Sequence, residues 1–203
     1  MENASDILKK RIMGIDYGNK YSGTTVICYN SFYKVRFIES SKNTDADSFI
    51  LTEARHVKPD LILIDAPLTL PGIYFRRNGY SDHFFRTCDR ELKAMSPMFL
   101  GGLTARAIRL KRELNRYGIE VMETYPRKLV ELIELPTDVY KQSVDDLGIF
   151  TNHLVEKLGI TVNRALLTSW HRMDALLAFL SGLRHLEKKS KRYGKMDEGV
   201  VYV

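Results

Sequence analysis

Four acids in this chain stand where one pocket can collect them. Asp16 ends the short apolar run that begins at Ile12, Asp65 ends the unbroken run Leu61 to Ile64, and Glu123 ends the run Ile119 to Met122. Asp174 falls near the start of a long helical pattern from about Trp170 to Leu186. An apolar run anchors a strand in the core, so a carboxylate directly after it emerges at the rim, where open α/β sheets gather reactive side chains. Several carboxylates in one pocket repel unless a cation neutralises them or some take up a proton. Oxygen-only donors suit the hard ions Mg²⁺ and Mn²⁺. Two such ions roughly 3.5–4 Å apart clamp the attacking and leaving oxygens of an in-line displacement at phosphorus. His171 stands three residues before Asp174, so on a helix both project from one face, with the histidine placed as a further ligand or as acid/base on the attacking water.

Each residue also has a local reading. Asp16 precedes Tyr17-Gly18 and Asp65 precedes Ala66-Pro67, both turn contexts in which Asp is common. Glu123 has Arg127 or another nearby base as an ion-pair partner, Asp174 can cap or pair locally, and a lone His171 can be a satisfied structural histidine. The joint pattern, acids ending three strands and opening a late helix, is what chance supplies less readily.

The elements that must position these residues follow from periodicity. Ile12 to Asp16, Thr24 to Tyr29 and Phe32 to Ile38 read as three strands joined by short connections, an antiparallel meander with the Gly18-Asn19 turn signal after the first. Thr44 to Val57 is helical, with Asp45 and Asp47 at the end the helix dipole favours for carboxylates. Leu61 to Ile64 reads as a strand buried on both faces. Leu103 to Tyr117 is a helix with a basic face (Arg106, Arg109, Lys111, Arg112, Arg116), followed by a strand at Ile119 to Met122. Helical patterns fill most of Arg127 to Leu158, Lys188 to Arg192 is a basic linker, and Gly199 to Val203 can close a sheet. Consecutive strands before the first helix favour a mixed sheet with helices on both faces.

The 203 residues suffice for one well-buried core, expected as a single domain over 1–203. Within it, 11–66 hold the first strands, helix and fourth strand, 67–102 an insertion, and 103–203 the remaining elements. No apolar run approaches a membrane span and the first ten residues lack the apolar core of a secretion signal. Cys28 and Cys88 are far apart and in no ligand spacing, as reduced thiols of a cytoplasmic protein are. The +6 net charge fits a polyanionic partner.

Gly14-Ile15-Asp16-Tyr17-Gly18-Asn19-Lys20-Tyr21-Ser22-Gly23 resembles the opening strand and turn of RuvC-type and YqgF-type nucleases of the ribonuclease H-like superfamily. Ile64-Asp65-Ala66-Pro67-Leu68, Arg86 to Arg90, Glu123 to Arg127, His171 to Ala175 and Glu198-Gly199 resemble, in order, the predicted-nuclease family known as domain of unknown function 429. The resemblance implies an α/β, ribonuclease H-like fold: a five-stranded mixed sheet with strand one central. It places metal ligands on strand one, strand four and the last helix, here Asp16, Asp65 and Asp174. One departure stands out, since many RuvC-type enzymes carry Glu after the fourth strand where this chain has Asp65.

The most distinctive local stretch is basic and aromatic: Arg76, Arg77, Arg86, Arg90 and Lys93 interleave with Tyr74, Phe75, Tyr80, Phe84 and Phe85. Arg and Lys contact phosphates and aromatics stack on unpaired bases, so with Arg106 and Arg127 these arginines are candidate substrate contacts. The other reading is packing aromatics and solvated charges, and Asp89 is either a further site acid or an ion-pair partner.

The leading expectation is a Mg²⁺- or Mn²⁺-dependent nuclease acting on DNA or RNA. A non-catalytic nucleic-acid-binding or adaptor protein on the same fold is the alternative. An actin-like phosphotransferase ranks lower, because that fold needs two such domains and a second glycine-rich phosphate motif, which the chain lacks. Branched-DNA resolvases are usually dimers, which makes a homodimer the corresponding expectation, although the sequence marks no dimer seam.

Overall fold

Parallel pairing of β1 (Ile12–Asp16) with β4 (Leu61–Asp65) sets the geometry of everything that follows. Its register places Ile12 beside Leu61 and Asp16 beside Asp65. The structure is a computed structural model and describes residues 10–31, 34–76, 79–158 and 163–203. On the other side of β1, β2 (Val26–Ser31) and β3 (Lys34–Glu39) form the expected antiparallel meander. β5 (Glu120–Glu123) pairs parallel with β4. Among these five strands β1 is central, as the resemblance implies.

The sheet is larger than expected. Its order is β3-β2-β1-β4-β5-β7-β6, where the last two, in chain order, are β6 (Arg192–Lys195) and β7 (Gly199–Tyr202), giving seven strands among the described residues rather than five. β6 and β7 form a C-terminal hairpin, and β7 joins β5 through the single pair Glu123 and Val201. The Glu198 carboxylate ties this hairpin down by accepting from the amides of Gly72 (2.8 Å) and Thr87 (2.7 Å). β6 escaped sequence reading because Arg-Tyr-Gly-Lys carries no alternating or β-branched pattern.

Side-chain alternation sends the central strands into two cores. On one face Met13, Ile15, Ile62, Ile64 and Val121 meet Ile50 and Ala54 of α1 (Ala46–Val57) and Ala107, Leu110 and Leu114 of α4 (Gly102–Arg116). α1 is capped by the Asp45 side chain, which accepts from the amides of Asp47 and Ser48. On the other face lie α5 (Pro126–Leu132), α6 (Asp146–Leu158) and α7 (Trp170–Leu186). The span 67–102 is not structureless: it holds a short 3₁₀ turn at Gly72–Phe75, α2 (Thr87–Leu92) and α3 (Pro97–Leu100). Among the described residues the helical expectation for 127–158 is met by α5 and α6, which are separated by a connection that starts at Ile133 and contains Pro136. No described helix is long and apolar enough to cross a membrane.

α7 lies against β1 because Gly14 has no side chain. A Cβ there would overlap the Phe179 amide and the Ala175 carbonyl of the helix. Gly14→Ala is therefore expected to push α7 outward and to lower stability by about 1–3 kcal/mol, seen as a lower urea midpoint. Because α7 carries Asp174, the same variant should also bind divalent metal more weakly, measured by calorimetry.

Candidate metal centre

The register of β1 and β4 sets the carboxylates of Asp16 and Asp65 side by side, on the face covered by α7. Ser169 caps α7, its hydroxyl accepting from the Arg172 amide. The helix then presents His171 and Asp174 one turn apart toward the strand ends. One oxygen from each of Asp16, Asp65 and Asp174 lies within 4.8 Å of the other two. The three acids that the resemblance maps to a metal site thus converge.

His171 joins them through Asp16: its Nδ1 lies 2.6 Å from Asp16 Oδ2, leaving Oδ1 for a cation. That hydrogen bond raises the histidine pKa above its ordinary value, against the effect of burial. Burial, with the charges of Asp174 and Asp16 behind it, pushes Asp65 well above the carboxylate range. Asp174 is fully buried, and burial together with the Asp16 charge pushes it up to about 6, against the pull of a nearby lysine.

That lysine was missed by sequence reading. Lys141, with Tyr140, comes from the connection between α5 and α6. Its ammonium forms an ion pair with Asp174 Oδ2, and the Tyr140 hydroxyl donates to Asp174 Oδ1. Trp170 fixes this connection, donating from Nε1 to the Ser143 carbonyl (2.7 Å) and packing edge-on against Tyr140 at 5.6 Å. Lys141 sits in left-handed backbone (φ 60°). Burial disfavours its charge, but Asp174, Asp16 and Asp65 outweigh this and raise its pKa. The only signal in the sequence was Pro136, which ends the helical pattern before these residues.

The donor set fits a hard divalent ion. Three carboxylates share one amine and one histidine, and the like charges on Asp65 are the kind of repulsion a cation relieves.

Glu123 is brought near but is committed elsewhere. It is buried and accepts from Arg86 Nη1 (2.7 Å) and Nη2 (2.6 Å) and from the Leu68 amide (2.8 Å). Its partner is Arg86, and not Arg127, which is exposed. Arg86 itself corrects an expectation. It is 1% exposed, and its five N–H donors are all engaged: two with Glu123, two with Asp89 and one with Thr69. No donor remains for a phosphate. Asp89 is accordingly an ion-pair partner.

The other candidate substrate contacts divide. Arg106 is half-buried, pairs with Asp47 at 2.7 Å, donates to the Gly18 carbonyl and lies over the Tyr17 ring, so it braces the turn after β1. Arg90 is exposed, paired with Asp82 at 2.8 Å and stacked 3.7 Å from the Phe85 ring centre. Arg76 is exposed. Arg77 lies outside the described residues.

No family model and no curated protein matches the chain. Among solved structures it is similar to the RuvC structure of Thermus thermophilus, at 12% identity and a TM-score of 0.45, covering 91% of this chain and 98% of that one.

Proposed function

We propose that the chain hydrolyses phosphodiester bonds of DNA or RNA with the help of divalent metal. The observation that carries this reading is the convergence of Asp16, Asp65 and Asp174 within 4.8 Å beside His171. Mg²⁺ or Mn²⁺ held by these carboxylates would acidify the attacking water and offset charge on the leaving oxygen. The chain's own residues do the rest. Asp16 holds His171 at Nδ1, so the proton that moves does so at Nε2, which suits the half-exposed imidazole to take it from water. Lys141 and Tyr140 orient Asp174 from both oxygens, and the ammonium offsets part of the cluster's negative charge. Exposed Arg76, Arg90 and Arg127, with the +6 net charge, suit a polyanionic substrate.

One observation favours a second reading, a nucleic-acid-binding protein without catalysis: Lys141 already supplies a cation to Asp174. Mn²⁺ titrated calorimetrically into the protein, alone and with a single-stranded oligonucleotide, separates the two. Nuclease function predicts binding at or below millimolar Mn²⁺, and cleavage in Mg²⁺ that EDTA stops. Oligonucleotide binding with no metal uptake, in the wild type and in Lys141→Met alike, establishes the second reading instead.

A further inference from the structure

Beside the carboxylates a cavity of about 150 Å³ opens, bordered by Asp65 itself. Ala94, Met95, Leu100 and Leu103 give it an apolar wall, and Thr124, Tyr125 and the mutually paired Arg86, Asp89 and Glu123 also border it. Thr124 is buried. Its amide donates to the Ile64 carbonyl at 3.0 Å, but its hydroxyl has no hydrogen-bond partner. A buried hydroxyl left unpaired is costly, and such groups are uncommon unless something satisfies them. Thr124 lines this half-open, mostly apolar cavity with its hydroxyl enclosed, and rotation about χ1 brings that hydroxyl to the wall, which points to a ligand with a flat apolar body and a polar edge.

Size and position narrow the ligand. A cavity of this volume elsewhere accepts one benzene ring, so a single six-membered ring fits and a fused bicycle would protrude. Met95 is mostly exposed at the cavity, and its flexible thioether can adapt to a ring face. A phosphate at Asp16, Asp65 and Asp174 brings the base of an adjoining nucleotide within reach of a cavity that shares Asp65. We propose that this cavity receives one unstacked pyrimidine of the strand being cut, with the Thr124 hydroxyl pairing to its polar edge. The proposal rests on the nuclease reading. It also selects a substrate class: taking a base out of a stack costs free energy that a single strand largely avoids, so single-stranded or locally opened nucleic acid is preferred over duplex.

The test is binding of short oligo(dT) and oligo(U), with Ca²⁺ in place of Mg²⁺ and a single abasic residue stepped along each strand. The expected result is one position at which the abasic residue weakens binding roughly tenfold, with adenine there also weaker than thymine. Thr124→Val, which keeps the shape and removes the hydroxyl, should shrink that penalty, and Ala94→Phe, which fills the cavity, should erase it. Tight binding with no position standing out, or a penalty unchanged in Ala94→Phe, overturns the base pocket and leaves the nuclease reading intact. If the wild type neither binds nor cuts any strand, the nuclease reading fails and the pocket with it.

Discussion

Asp65→Asn is expected to make the metal-free protein more stable while abolishing its chemistry. Asp65 is pushed well above the carboxylate range by burial, by Asp174 and by Asp16. An acid whose pKa is higher in the folded state than in the unfolded one binds more protons when folded, so stability falls as pH rises from the unfolded value through the folded value. The wild type should therefore lose stability between about pH 4 and neutrality, to the extent that this carboxylate is forced to ionise. Asparagine keeps the shape without the charge, so the variant should unfold at a higher temperature than the wild type at neutral pH and show a flatter pH profile. Mn²⁺ should reverse the order. It binds only the folded wild-type site and so raises its melting temperature, whereas the variant has lost a ligand. Cleavage should fall roughly a thousandfold, the scale seen when a group that stabilises transition-state charge is removed. A variant less stable than the wild type without metal, or one that Mn²⁺ stabilises equally, contradicts the assignment of Asp65 as a ligand held in a repulsive cluster.

How much of this site was legible depended on how each residue advertises itself. Asp16 and Asp65 were visible because each follows a run too apolar to be anything but core, so the acid marks the strand's rim. Asp174 and His171 were visible because their spacing survives on any helix. The alignment of Asp16 with Asp65 was not, because it needs the parallel register of two strands separated by a meander and a helix. Lys141 and Tyr140 act through a connection whose only mark is a proline, inside a stretch otherwise patterned like helix. Arg86 was read as a surface contact because arginine is rarely buried. Nothing local reveals that Glu123, 37 residues away, turns inward to meet it. The first five strands follow from their apolar runs or alternation, while β6 is held by its partners rather than by its own residue types.

Arg86→Met should be the most destabilising single change in the described structure. The guanidinium holds two buried carboxylates, Glu123 at the end of β5 and Asp89 in the first turn of α2, and removing it strands both. Truncating one partner of a buried ion pair costs roughly 3–5 kcal/mol, because the remaining charge is left in a medium that solvates it poorly. Here two charges are left, so the upper part of that range is expected, read as the loss in urea unfolding free energy. Arg86→Lys should recover little, since one ammonium cannot reproduce five donors in a planar fork. The cost of taking these three charges out of water offsets much of what their attraction contributes. Arg86→Met combined with Glu123→Gln and Asp89→Asn should therefore regain much of the loss, because no charge is left buried without a partner. The same triple variant separates structure from chemistry. If Arg86 and Glu123 only brace the strand ends beside the acids, the refolded triple variant keeps Mn²⁺ affinity and cleavage within a few-fold of wild type. Recovery of stability without recovery of cleavage would place Glu123 back among the groups that act on the substrate, as its position at a strand end first suggested.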